Sequence, residues 1–309
     1  MATAFLTHPA CVAHEMGSGH PESPQRLRAV LAALQSSGLG VKVSLMEAPE
    51  ATREQLARIH TRDHIDNVFA VAPGSGYAYL DPDTSMNSSS LPASLRAAGA
   101  LVRATDLVME GKVGNAFCAV RPPGHHATPE RAMGFCIFNN VAIGAAHAMD
   151  AHGLERIAIL DFDVHHGNGT EEAFREDDRV LFCSTFQHPY YPYSGADSGN
   201  EHIVNSPLPA MTDGEGFRAA VERDWMPALE AFKPRMIFVS AGFDAHREDP
   251  LAYLELEDGD YRWVTERIVD IAHRHAHGRV VSTLEGGYNV QALARCVVEH
   301  VSVMVAAAS

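Results

Sequence analysis

The sequence predicts an α/β fold, a single doubly wound and mostly parallel sheet with helices on both faces. Three observations carry this. Short apolar runs alternate with longer stretches of helical periodicity, the order that builds parallel sheets from crossover units. The runs are nearly continuous in apolar residues (Ile157-Ala-Ile-Leu160, Met236-Ile-Phe-Val239), as expected of strands buried on both faces. Four of them end in polar clusters: His125/His126, Asp161 to His166, Asp244/His246 and Glu285/Tyr288. Open parallel sheets bind ligands beyond the carboxyl ends of their strands, so four clusters so placed point to one site.

The elements follow in order. Ala4-Phe5-Leu6 reads as a short strand. Pro21 to Pro24 breaks the chain, and Leu27, Val30, Leu31 and Leu34 give 25–34 a helical apolar face. A strand is expected at 41–45. Thr52 is placed to cap a helix over 53–59, and 62–71 continues helical. Residues 73–92, rich in Gly, Ser, Asp and Pro, read as loop. A long helix spans 95–110, and a strand at 115–120 runs into Arg121-Pro-Pro-Gly-His125-His126. Then come a helix (139–152), a strand (157–160), a short helix (169–175) and a strand (180–184). The aromatic and Pro-rich stretch 187–212 reads as loop. A helix over 217–232 contains Pro227, which should bend or break it. A strand (236–240), a helix (258–275), a strand (279–283) and a closing helix (290–306) complete the chain.

The 309 residues contain no linker-like tract and no fixed-period repeat, so one domain over 1–309 is expected, with 46% hydrophobic residues to fill its core. Twenty-four basic against 39 acidic residues give a formal charge of −15, which disfavours direct contact with nucleic acid and biases toward cationic partners. The five cysteines (Cys11, Cys118, Cys136, Cys183, Cys296) are dispersed, with no CxxC pair. That predicts buried thiols in a reduced, cytoplasmic protein. Neither a signal peptide nor an uninterrupted apolar span of membrane length is seen, so no membrane association is expected. No P-loop, no GxGxxG after a strand and no GxSxG elbow appears, which speaks against nucleotide binding and serine hydrolysis.

The clusters carry chemistry. Asp163, His165 and Asp244 together make three protein ligands, with a fourth position open, the catalytic arrangement for Zn²⁺. Two carboxylates make the set hard enough for Fe²⁺ or Co²⁺ to compete. His125 and His126 follow a rigid Pro-Pro-Gly turn. Imidazoles there can take a proton from an activated water and return one to a departing amine. Each needs an acceptor on its far nitrogen, and Asp161 and Asn168 are the candidates. An Asp partner favours imidazolium more than an Asn does, so the two histidines should differ in basicity. Tyr288, after Glu-Gly-Gly, is a candidate donor to a developing oxyanion. Phe135, after Gly134, and Tyr191 could wall a narrow channel suited to an extended alkyl chain carrying an amide. Any one of these features alone is more often structural; their convergence at strand ends is what argues for a site. His273, His275 and His277 read as a solvated helix end, and Cys136 as packing.

Taken together, His20-Pro-Glu-Ser-Pro-Gln-Arg26-Leu, Arg121-Pro-Pro-Gly-His-His, Gly134-Phe-Cys-Ile-Phe-Asn-Asn, Asp161-Phe-Asp-Val-His-His-Gly-Asn-Gly-Thr, Ser240-Ala-Gly-Phe-Asp-Ala-His-Arg-Glu-Asp-Pro-Leu and Leu284-Glu-Gly-Gly-Tyr-Asn resemble the histone deacetylase superfamily, its class II branch and bacterial relatives. The resemblance implies the arginase/deacetylase-like fold and one Zn²⁺ per chain on Asp163, His165 and Asp244. It implies His125 and His126 as the proton-transfer pair backed by Asp161 and Asn168, and Tyr288 as the carbonyl-polarising donor. Phe135, Tyr191 and Gly134 would contact substrate, and Arg26 would line a cavity beneath the metal. It also implies a structural K⁺ near Asp161, Asp163, His165 and Ser184. Asn168 stands where class I members carry Asp. The expected reaction is hydrolysis of an acetyl amide, on an acetylated lysine side chain or, alternatively, an acetylated polyamine. A non-catalytic acyl-ligand sensor and a two-metal arginase-type hydrolase are the rivals. Oligomeric state is left open, a homo-oligomer included.

Overall fold

The computed structural model describes residues 1–308. Eight strands form one sheet: β1 (Thr3–Thr7), β2 (Val43–Glu47), β5 (Asn115–Cys118), β6 (Ile157–Asp161), β7 (Val180–Gln187), β8 (Ile203–Leu208), β9 (Met236–Ala241) and β10 (Val280–Leu284). Their order is β2-β1-β5-β10-β9-β6-β7-β8, every neighbour parallel. The inner strands β5, β6, β7, β9 and β10 are buried at every residue, which is why they read as unbroken apolar runs. A two-stranded antiparallel hairpin, β3 (Ala78–Asp81) with β4 (Thr84–Met86), stands apart from the sheet.

The helices are α1 (Pro9–Ala13), α2 (Pro24–Ser36), α3 (Arg53–Leu56), α4 (Arg62–Val71), α5 (Ser90–Met109), α6 (Asn140–His152), α7 (Asn168–Phe174), α8 (Gly214–Ala220), α9 (Met226–Phe232), α10 (Asp258–His275) and α11 (Val290–Ala308). Thr52 caps α3 as expected, in a reciprocal capping box with Gln55. The helical stretch expected over 217–232 begins at Gly214 and continues past Pro227. A π turn at Val221–Trp225 precedes the proline, widening the helix where a backbone donor is missing.

Two readings of loop are corrected: the stretch 187–212 contains β8, and the segment 73–92 contains the β3–β4 hairpin and the start of α5. A further helix, α1, lies between β1 and the Pro21 break, where no element was expected. The strand expected at 41–45 begins at Val43, after a 3₁₀ turn at Leu39–Val41. By length and mean hydropathy (1.4) α11 is long and apolar enough to cross a membrane. It packs here against α10 and α2, with His300 buried between Thr265 and Ser282.

Candidate active site

The turns after β5, β6, β9 and β10, four adjacent strands, bring the predicted clusters to one edge of the sheet. Ligand atoms of Asp163, His165 and Asp244 all lie within 4.8 Å of one another. His165 Nδ1 stands 3.0 Å from Asp163 Oδ1 and 3.2 Å from Asp244 Oδ2. The carboxylates are held by backbone donors: Gly286 N on Asp163 Oδ2 (2.8 Å), His165 N on Asp163 Oδ1 (2.9 Å) and Val164 N on Asp244 Oδ1 (2.9 Å). Asp244 Oδ2 is buried and accepts no hydrogen bond. A buried oxygen left without a donor costs free energy unless something else satisfies it. Gly286 lets the chain pass this close, because a Cβ there would overlap Asp244 Oδ2.

The electrostatics ask for a cation at the same point. Burial opposes ionisation of Asp163, yet His125 and His165 hold it below the usual carboxylate range. Burial, then the neighbouring Asp163 charge, raises Asp244. Burial lowers the basicity of His165, but Asp163 and Asp244 outweigh it and push the imidazole to about 10. Two buried carboxylates facing one imidazole favour positive charge at the point between them. The donor set, the orphaned oxygen and the charge balance all fit a divalent cation.

His125 and His126 stack obliquely, 4.0 Å between centroids. His125 Nδ1 lies 2.8 Å from Asp161 Oδ2, and His126 Nδ1 lies 2.8 Å from Asn168 Oδ1. The partners divide their chemistry. Burial depresses both, but the Asp161 and Asp163 carboxylates carry His125 up to about 10. His126, with burial and the His125 and His165 charges against it, falls well below 6.5. Glu285 supports the pair from behind, accepting Gly124 N (2.7 Å) and His125 N (3.3 Å). Burial pushes its carboxyl to about 7.

A cavity of about 300 Å³ opens over these groups. His126, His165 and Tyr288 reach it from the sheet edge. Asp83, Gly134 and Phe135 come from the hairpin and the segment after β5, and Tyr190, Tyr191, Tyr193 and Leu251 from the loops after β7 and β9. Phe135 meets the Tyr288 ring edge-on at 5.9 Å, and Tyr191 meets His126 at 5.3 Å. Gly134 is required for contact, since a Cβ would stand 2.5 Å from the His126 ring.

Arg26, expected beneath the metal site, does not line this cavity. Its guanidinium lies 4.9 Å from the Tyr288 ring centroid, fully buried, and donates to Glu22, Gly287 O and Glu285 O. Glu22 in turn accepts from Arg121 and meets His14. Asp83, Asp249 and the Glu22–Arg121 pair were not singled out from sequence, and Glu285 was marked only as a member of a strand-end cluster, with no role given to it. Asp249, Glu285, Glu22 and Arg121 lie inside phrases quoted above, whereas Asp83 sits in a segment read as loop and carried no signal.

A parallel α/β sheet whose carboxyl edge joins a carboxylate–imidazole ligand set to a histidine pair and a phenol is the framework of a hydrolase. Comparison with known proteins then gives the family. The histone deacetylase domain matches residues 20–304, and the chain belongs to that family. It is 37% identical to a histone deacetylase-like amidohydrolase of Pseudomonas aeruginosa, over 93% of this chain and 82% of that one. It is 38% identical to a probable deacetylase of Archaeoglobus fulgidus, over 94% and 82%. Among solved structures the HD domain of HDA15 superimposes with a TM-score of 0.92 at 33% identity, covering 99% of this chain and 88% of that one.

Proposed function

We propose that the protein hydrolyses the acetyl amide of N-ε-acetyl-lysine side chains in peptides or proteins, using one Zn²⁺ held by Asp163, His165 and Asp244. The observation that carries this reading is the cavity itself. Its lining joins the aromatic rings of Phe135 and Tyr191 to the polar groups of His126, His165 and Tyr288. An alkyl chain threads between the rings and presents an amide to the polar end. When bound, the cation polarises the amide carbonyl and acidifies a water beside it.

The remaining work falls to the chain's own groups. His126 is held neutral, so its free nitrogen can accept the proton of the attacking water. His125, bound to Asp161, retains its proton and keeps positive charge beside the site. The Tyr288 hydroxyl donates to the oxygen that becomes negative as the carbonyl is attacked. Burial keeps that phenol protonated, pushing its acidity well away from neutrality. The proton held on His126 then passes to the departing amine. A structural K⁺ belongs to the same proposal. Ser184 Oγ is buried without a hydrogen-bond partner and pairs in register with Asp161, where an oxygen-ligated monovalent ion would satisfy it.

Metal analysis of the purified protein coupled to a panel of acylated amines tests the reading. One Zn²⁺ per chain, with turnover of acetyl-lysine peptides abolished by a chelator and restored by metal, is expected. Turnover undiminished after demetallation, or confined to acetylated polyamines, would overturn it.

A further inference from the structure

Away from the catalytic edge, two helices bring together a second group of metal-binding side chains. Asp106 on α5 and His147 and His152 on α6 place their ligand atoms within 4.8 Å of one another. Both imidazoles aim Nε2 at one carboxylate oxygen. His147 Nε2 lies 2.7 Å from Asp106 Oδ1, and His152 Nε2 lies 2.8 Å from it. The two rings stand 84° apart. A tetrahedral zinc, with bonds of about 2.0–2.1 Å, sets its ligand atoms about 3.3 Å apart. Asp106 has then to withdraw by only about 0.5 Å from each nitrogen to admit the ion. The catalytic ligands are drawn together to a similar degree, at 3.0 and 3.2 Å from His165 Nδ1. His147 is buried, while His152 and Asp106 are half-buried, so solvent can supply the remaining ligand. The group is separate from the catalytic site. Asn140 in the first turn of α6 holds Pro122 O, next to the histidine pair, at 3.1 Å. His147 and His152 lie about 10 and 18 Å further along the helix axis.

Arg58 competes with such an ion. Its Nη1 donates to His147 Nδ1 at 2.9 Å, which keeps the proton of the neutral ring on Nε2, facing Asp106. Metal on Nε2 requires that proton on Nδ1 instead, and Arg58 must then leave. It has somewhere to go, since its Nε and Nη2 already bond Asp150 Oδ2 at 3.0 and 2.8 Å. The cluster of His246, Asp258 and Cys296 lacks this freedom. There a backbone group, Glu248 N–H, donates to His246 Nδ1 at 3.1 Å, and Arg295 covers Asp258.

We propose that Asp106, His147 and His152 form a second, non-catalytic site for a divalent ion of the zinc type (Zn²⁺, Co²⁺ or Ni²⁺), which displaces Arg58 and clamps the end of α6 to α5. Two imidazoles and one carboxylate suit these ions, whereas Mg²⁺ and Ca²⁺ take sets of oxygens. Its ligands are less buried than the catalytic three, so it is the weaker site. It fills when zinc is in excess and empties on dialysis.

The test titrates Zn²⁺ into dialysed wild-type protein, His152→Gln, Asp106→Asn and Arg58→Met, by calorimetry and by melting curves. Wild type is expected to take up one more ion per chain than His152→Gln or Asp106→Asn, or to hold it at least about tenfold more tightly. Its melting temperature should rise further on adding zinc than theirs. Arg58→Met, relieved of the competing guanidinium, should bind the extra ion more tightly than wild type. Turnover of acetyl-lysine peptide without excess zinc stays the same in all four proteins. Should Asp106→Asn fail to fold, His152→Gln and Arg58→Met carry the test. Equal uptake and affinity in wild type and His152→Gln, or weaker binding in Arg58→Met, overturns the site. The count is a difference between proteins, so it reads the same whatever the catalytic ion and the substrate prove to be.

Discussion

Asp249 holds Tyr288 by its backbone. One carboxylate oxygen accepts Tyr288 N at 2.6 Å and Asn289 N at 3.1 Å, and the other accepts Leu251 N at 3.0 Å. A single buried side chain therefore ties the turn carrying the oxyanion donor to a loop lining the cavity. Hydrogen bonds to a charged acceptor are worth about 1.5–3 kcal/mol each. Asp249→Asn turns an amide toward one set of these donors and should lower kcat about ten- to a hundredfold, with KM changed little. Steady-state kinetics beside a melting curve decides the matter: a variant with wild-type kcat removes Asp249 as a positioning residue.

Tyr288→Phe keeps the ring, its edge contact with Phe135 and its packing under Arg26, and deletes only the hydroxyl. Loss of one oxyanion donor costs on the order of 10²–10³ in turnover. Substrate affinity, measured by binding to the inactive protein, should survive. Near-normal turnover would show that the phenol plays no part in the step.

Gly286→Ala tests the ligand cradle without touching a ligand. The added methyl would overlap Asp244 Oδ2 and crowd Asp163 Oδ2, at a turn where the Gly286 N–H also holds Asp163. Metal content per chain should fall well below that of wild type, and the gain in melting temperature on adding Zn²⁺ should shrink. A fully loaded Gly286→Ala protein would mean that the two carboxylates can move apart at little cost.

The parts of this architecture legible in the sequence share one physical origin. Strands buried on both faces must be apolar throughout, so β6, β7, β9 and β10 announced themselves, and the polar residues ending them stood out by contrast. β8 did not, because it is an edge strand. Asn205, Ser206 and Pro207 interrupt it, and an edge tolerates a proline that an inner strand would not. The hairpin is too short to show alternation, and α1 has five residues, little more than one turn. Asp249 and Glu285 act on backbone N–H groups far along the chain. Such partners have no side-chain identity for a sequence to display. Arg26 matched a phrase, but its position behind Tyr288 follows from pairing with Glu22, Gly287 and Glu285, which only the fold reveals.

The last prediction concerns stability in acid and involves two histidines outside the site. His60 donates Nδ1–H to Thr128 O at 3.0 Å and accepts Asn139 N on Nε2 at 2.8 Å, so a second proton would set two N–H groups face to face. Burial, then the His64 charge, lowers it to about 3. Burial alone brings His300, set between Thr265 and Ser282, to about 3. Both stay neutral in the folded chain while the unfolded chain takes up protons below about pH 6.5. The unfolded state then binds more protons, and stability falls as the pH drops from about 6.5 toward 3. The slope is about 1.4 kcal/mol per pH unit for each histidine. Denaturant unfolding at successive pH values reads that slope directly. His300→Gln, which cannot take up a proton, should flatten it by about one histidine's share whatever its effect on stability at neutral pH. An unchanged slope in that variant would show that His300 is protonated in the folded protein as readily as in the unfolded chain.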